Sequence, residues 1–150
     1  MAGLEMRAAA NHWKLAIETH NTNHPLVDHY LTNLSQADPR YFPDTNFLLA
    51  SPECTNHSLA KGRRRKSAQL SMLDPTKIDP SEERSRATMW CVPRFAEYHS
   101  YDLIIVENVV DVVHWILFND WLGAMKTLGY SHHICYFNSM FFSPINGLQD

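Results

Sequence analysis

Apolar and polar positions along this chain change period several times, and the changes mark its elements. Two short unbroken apolar runs stand out, Phe47 to Ala50 and Leu103 to Val106. Continuous apolar tetrads read as strands buried on both faces, the pattern of a parallel sheet. Ser51-Pro52 stops the first, because proline donates no ladder bond and restricts the residue before it. Glu107-Asn108 stops the second. Between the runs, Asp74-Pro-Thr-Lys-Ile-Asp-Pro80 is turn-rich, with two Asp-Pro steps. Ser81-Glu-Glu83 then opens a helix, with a capping residue and acids in its first turn. Its core stripe is Ala87, Trp90, Cys91, Phe95 and Tyr98, at helical spacing. From Val109 to Leu128 the period is helical again, with a break expected at Gly123 and an end at Gly129. The buried face expected there is Val113, Ile116, Leu117, Trp121 and Met125, and Tyr130 to Phe142 reads as extended.

The amino-terminal stretch is ambiguous by propensity alone. Leu4 through Thr19 is rich in good helix formers and reads as one long helix. Asn23-His24-Pro25 ends it, since proline excludes helical backbone in the residue before it. No repeat or low-complexity tract interrupts the chain.

Candidate chemistry concentrates after the first apolar run. If the two runs are neighbouring parallel strands, Cys54 and Glu107 leave the same edge of the sheet, a potential nucleophile beside a potential proton donor. In open α/β sheets the carboxyl edge is where ligands bind. Thr55, Asn56, His57 and Ser58 add hydrogen-bonding groups, and Lys61, Arg63, Arg64, Arg65 and Lys66 add positive charge. A run of this kind is ordinarily a solvated loop; its nearness to Cys54 favours phosphate contacts.

Ser51-Pro-Glu-Cys-Thr-Asn-His-Ser58 resembles the nucleophile motif of DNA cytosine-5 methyltransferases, and Glu107-Asn108-Val109 is similar to that family's Glu-Asn-Val motif. The spacing between them and the Arg- and Ser-rich segment Glu83-Arg-Ser-Arg-Ala-Thr88 fit as well. The resemblance implies an α/β fold, the three-layer Rossmann-like sheet of S-adenosylmethionine-dependent methyltransferases. It implies Cys54 as the residue that adds to cytosine C6, Glu107 as the acid at N3, and Asn108 as the shaper of that turn. S-adenosyl-L-methionine is the implied cofactor, with Asn11, His12, Trp13, Asn33 and Pro52 around it. Double-stranded DNA is the implied partner, contacted by Ser58, Lys61, Arg63, Arg64 and Arg65. The resemblance also recasts the amino terminus as a strand from Glu5 to Ala10, a cofactor-facing turn Asn11-His12-Trp13, and a helix from Lys14 to about Thr22. That version is preferred here to the single helix.

Several features depart from the family pattern. No Gly-rich loop precedes Asn11, and Asn11, Asn33 and Asn46 stand where the family tends to have acids. Glu53 replaces a common second proline; a carboxylate there opposes thiolate formation, and His57 or Arg63 to Arg65 offset it. The tail Ser143-Pro-Ile-Asn-Gly-Leu-Gln-Asp150 lacks the paired arginines of the family's Gln-x-Arg-x-Arg motif. The expectation is a catalytic-domain fragment, residues 1–150 as one partial domain, lacking the first strand and the target recognition domain. A non-catalytic remnant that binds DNA weakly, or half of an enzyme completed by a second chain, are the alternatives. A Cys-dependent hydrolase is a third, but it leaves the Glu107-Asn108 turn unexplained.

Bulk properties narrow the picture a little further. A chain of 150 residues with 45% hydrophobic content is large enough for one real core. A formal charge of −3 argues against nucleic-acid affinity spread over the whole surface. Cys54, Cys91 and Cys135 are odd in number and widely spaced, which suits free thiols in a reducing compartment and a cytoplasmic location. No apolar run is long enough to span a bilayer, so no membrane partner is expected. His20, His24 and His29 lack the companions of a zinc motif and read as surface or helix-end residues, as His132-His133 do, so no metal is expected.

Overall fold

The computed structural model describes residues 3–53 and 80–138, with the backbone alone over 80–87. Within them lie two β–α–β units in chain order. The first is strand β1 (Ala8–Asn11), helix α1 (Lys14–Asn23) and strand β2 (Asp28–Leu31). The second is strand β3 (Phe47–Ala50), helix α2 (Pro80–His99) and strand β4 (Leu103–Val106). Helix α3 (Phe118–Thr127) follows. β1 pairs with β2 and β3 with β4, both in parallel, as two two-stranded sheets. The class is therefore mixed α/β with small parallel sheets.

The two apolar tetrads pair directly, Phe47 opposite Leu103 through Ala50 opposite Val106. Alternation then sorts their side chains. Leu48, Ala50, Ile104 and Val106 pack on the core, while Leu49, Leu103 and Ile105 remain 64%, 54% and 46% exposed on the other face. The core itself is Met89, Val92 and Ala96 of α2 with Trp115, and with Trp121 and Met125 of α3.

Pro93 sits inside α2 and has no N–H to offer the carbonyl four residues back. That carbonyl belongs to Met89, and it accepts instead from the indole Nε1 of Trp121 at 2.9 Å. The prolyl defect thus becomes a cross-link between α2 and α3. Helix α3 ends in a Schellman arrangement: Gly129 N donates to Lys126 O at 3.0 Å and Tyr130 N to Met125 O at 3.1 Å, with Gly129 at φ 94°. Arg94 of α2 ties the second unit to the first by donating to the carbonyls of Leu34 and Ser35.

Several expectations change. β1 runs Ala8–Asn11 rather than from Glu5, and the alanines are a strand because they pair with β2, overriding their helical propensity. The region expected to be helical from Val109, with its break at Gly123, is instead divided earlier, into a 3-10 segment (Val110–His114) and α3. The β-branched cluster Val109, Val110, Val112 and Val113 disfavours helix, and Trp115 turns to extended backbone and is buried. Ile116, expected inside, is 57% exposed, and Gly123 lies within α3 without breaking it. On α2, Tyr98 is exposed, and Met89, Val92 and Ala96 carry the packing together with Cys91 and Phe95. Residues 131–138 form no strand and are exposed.

Candidate active site

The carboxyl ends of β3 and β4 lie side by side because the register sets Ala50 against Val106. One further ladder bond, Glu107 N to Ala50 O at 2.9 Å, carries the pairing past the strand ends. Glu107 is therefore the first residue beyond β4 on the edge where Ser51 and Pro52 leave β3, and its side chain is exposed. Asn108 is half-buried and faces that loop. Its Nδ2 donates to Pro52 O at 3.2 Å and lies 3.7 Å from Met89 Sδ, while its Oδ1 accepts from Val109 N at 2.9 Å. The amide serves both bonds at once, its Nδ2 donating to the Pro52 carbonyl and its Oδ1 accepting from a backbone N–H. Glu53 N, the next donor along the loop, goes to Thr88 Oγ1 of α2 at 3.1 Å. Cys54, Ser58, Lys61, Arg63, Arg64 and Arg65 lie outside the described residues.

A second edge is built by β1 and β2. Asn11 ends β1, and its Oδ1 accepts from Trp13 N at 2.8 Å, a turn that lifts the chain off the strand into α1. Thr32 N donates to Asn11 O at 3.0 Å, which holds the ends of the two strands together. His12 is exposed, and Trp13 presents an indole 60% open to solvent. Two residues beyond β2, Asn33 Oδ1 accepts from Ser35 N and Ser35 Oγ. In both asparagines the oxygen is committed to the local turn. Neither Nδ2 has a hydrogen-bond partner among the described residues. An open aromatic face and two amide donors thus stand at the carboxyl ends of adjacent parallel strands, groups able to stack on a flat ring and to donate to acceptors.

Asn46, the third asparagine at an expected acid, has a different place. At the amino end of β3, its Nδ2 donates to Asp102 Oδ2 at 2.7 Å and its carbonyl accepts from Asp102 N at 2.9 Å. It closes the far end of the β3–β4 pair and stands away from the ligand edge.

The histidines are more organised than surface residues. His20 of α1 and His29 of β2 are half-buried, with Nδ1 and Nε2 2.8 Å apart, and the His24 ring lies 4.6 Å from that of His20. Burial first, then the neighbouring His24 and His29, lower the pKa of His20 below its ordinary value. One proton shared along the His20–His29 axis satisfies both rings. No group of three or more metal-ligating side chains with geometry for an ion occurs among the described residues. Cys91 is a buried thiol, and burial pushes its pKa up, against the opposing effect of Arg94. It belongs to the packing. No helix among the described residues is long and apolar enough to cross a membrane.

Sequence patterning missed Thr88 and Arg94 entirely. Both act through bonds to chain far away, Thr88 across 35 residues and Arg94 across 59 and 60, and a local window carries no trace of such contacts. The family model for C-5 cytosine-specific DNA methylase matches residues 1–143. None of the curated proteins matches the chain.

Proposed function

Because the chain belongs to the C-5 cytosine-specific DNA methylase family, we propose that it methylates cytosine at C5 in double-stranded DNA, with Cys54 as the covalent nucleophile. The observation that carries the reading is the joined carboxyl edge of β3 and β4. The loop entering Cys54 leaves that edge beside Glu107, and Asn108 bonds the two turns together.

Cytosine C5 is a weak nucleophile. In the proposed cycle the Cys54 thiolate forms a bond to C6, and the C5–C6 π pair becomes available at C5. Glu107 gives its proton to N3, so the ring does not hold an unmatched negative charge. S-adenosyl-L-methionine, when bound, supplies an electrophilic methyl group. A base, solvent water in this scheme, then takes the C5 proton; the C5–C6 double bond re-forms as the C6–S bond breaks, Cys54 leaves as thiolate, and the N3 proton returns to Glu107. The target base reaches Cys54 only when flipped out of the duplex. Ser58, Lys61, Arg63, Arg64 and Arg65 are assigned to the phosphates.

The cofactor is assigned to the β1–β2 edge. Trp13 and His12 offer the adenine a stacking face, Asn11 addresses the ribose hydroxyls, Asn33 the adenine, and Pro52 flanks the transferred group. Asn11 donates without charge, so this site binds by hydrogen bonding and stacking rather than by charge pairing. We read the two parallel pairs as parts of one three-layer, Rossmann-like sheet. The apolar outer face of Leu49, Leu103 and Ile105 supports this, since parallel sheets are ordinarily covered on both sides.

The test is calorimetric titration of S-adenosyl-L-methionine into the folded chain, followed by methyl transfer to DNA with Cys54→Ser and Glu107→Gln as controls. Saturable binding is expected, with transfer abolished by Cys54→Ser and reduced about 10²- to 10⁴-fold by Glu107→Gln. Transfer that survives Cys54→Ser would sink the covalent route.

A further inference from the structure

Two of the hydrogen bonds at the β3 edge end on the same peptide group. The carbonyl of Pro52 accepts from Asn108 Nδ2 at 3.2 Å, and the N–H of Glu53, across the same peptide plane, donates to Thr88 Oγ1 at 3.1 Å. One partner comes from the turn after β4 and the other from α2, so separate elements grip the plane from its two ends. A peptide plane turns about the axis between its Cα atoms through ψ of one residue and φ of the next. Pro52 already has φ locked by its ring. With both polar groups bonded, the remaining rotation breaks two hydrogen bonds at once.

The anchors are rigid. Thr88 is β-branched and in a helix, so few rotamers are open to its hydroxyl. Its neighbour Met89 is 1% exposed, the most buried side chain of the core, and Met89 Sδ also touches Asn108 Nδ2. Both grips are therefore referred to one packed point.

We propose that Thr88 is a positioning residue for the nucleophile: it holds the Pro52–Glu53 peptide plane and so sets the direction in which the chain delivers the next residue, Cys54. The inference rests on the assignment of Cys54 made above.

The test uses the full chain with Thr88→Val, which keeps the shape and removes the hydroxyl, and Thr88→Ser, which keeps the hydroxyl. Amide hydrogen exchange at Glu53 reports the bond. The pH–rate profile of iodoacetamide alkylation at Cys54, resolved by mass spectrometry with Cys135 as an exposed reference, reports the delivery. Thr88→Val is expected to speed exchange at Glu53 about tenfold and to move the Cys54 profile toward that of Cys135. Thr88→Ser is expected to match the unaltered chain in both. Exchange at Glu107, bonded to Ala50, stays constant and shows that the strands remain paired. Unchanged Glu53 exchange in Thr88→Val overturns the proposal, and so does faster exchange with an unmoved Cys54 profile. If the shifts appear in a chain that transfers no methyl group, the grip stands and the methylation reading fails.

Discussion

The two β–α–β units share a connectivity and are held together by different means. In β1–α1–β2 no residue of the helix is buried, and the contacts that stand out are polar: the parallel ladder, the His20–His29 pair, and the turn bonds of Asn11 and Asn33. In β3–α2–β4 the helix carries Met89, Val92 and Ala96 into a core shared with Trp115, Trp121 and Met125. Parallel pairing therefore does not demand a dense core in each unit. The first unit leaves its aromatic and amide groups open at the carboxyl ends of β1 and β2. The second bonds the Glu107–Asn108 turn to the loop of Pro52 and Glu53, and that loop to α2.

Substitution of large aromatics should separate the units most sharply. Trp121→Ala is expected to cost about 3–5 kcal/mol in urea denaturation. Trp13→Ala, in the open unit, should change stability by no more than about 0.5 kcal/mol. Equal losses at the two sites would erase the contrast.

A smaller effect isolates the bond between Trp121 and Met89 O. Trp121→Phe keeps most of the packing but orphans the carbonyl that Pro93 already leaves without its helical donor. The expected cost is about 1–3 kcal/mol. In a Pro93→Ala background the restored backbone N–H serves that carbonyl, and the cost of Trp121→Phe should shrink. A double-mutant cycle with no coupling would rule out this account.

Trp13→Ala should weaken S-adenosyl-L-methionine binding by about 1–3 kcal/mol, the range of base–aromatic stacking. Calorimetry beside the denaturation curve checks that affinity falls while stability holds.

The mildest effect concerns pH. The folded pKa of His20 lies below its ordinary 6.5, through burial and then through His24 and His29. The folded state thus binds fewer protons than the unfolded one across that interval. Its stability is fully present above 6.5 and falls as the pH drops toward the folded value. Protection factors of the α1 and β2 amides, that is, exchange corrected for its intrinsic slowing at low pH, should fall on acidification from about pH 7.5 to about pH 5, while those of the core amides of α2 hold. His20→Gln should flatten the response.

Much of the frame was legible in local pattern. The tetrads Phe47–Ala50 and Leu103–Val106 announced parallel strands because an apolar run of that length has few other uses. The strand–turn–helix at Asn11 to Lys14 was legible only through family resemblance, since the alanines by themselves favour helix. Asn108 was recognisable as a motif residue, but its bond to Pro52 O spans 56 residues and no window contains both ends.

Period by itself determined the two apolar strands and the polar punctuation after each; the family was legible only through the resemblance of the motifs at Ser51–Ser58 and Glu107–Val109. Tertiary structure alone decided which side chains those elements meet. It split 109–128 into a 3-10 segment and a helix, drew His20 onto His29, gave the Met89 carbonyl to Trp121, and set Thr88 against Glu53. Secondary structure answers to neighbours a few residues away, which sequence displays. A hydrogen bond between distant segments answers to how whole elements pack, and that is settled only when the chain has folded.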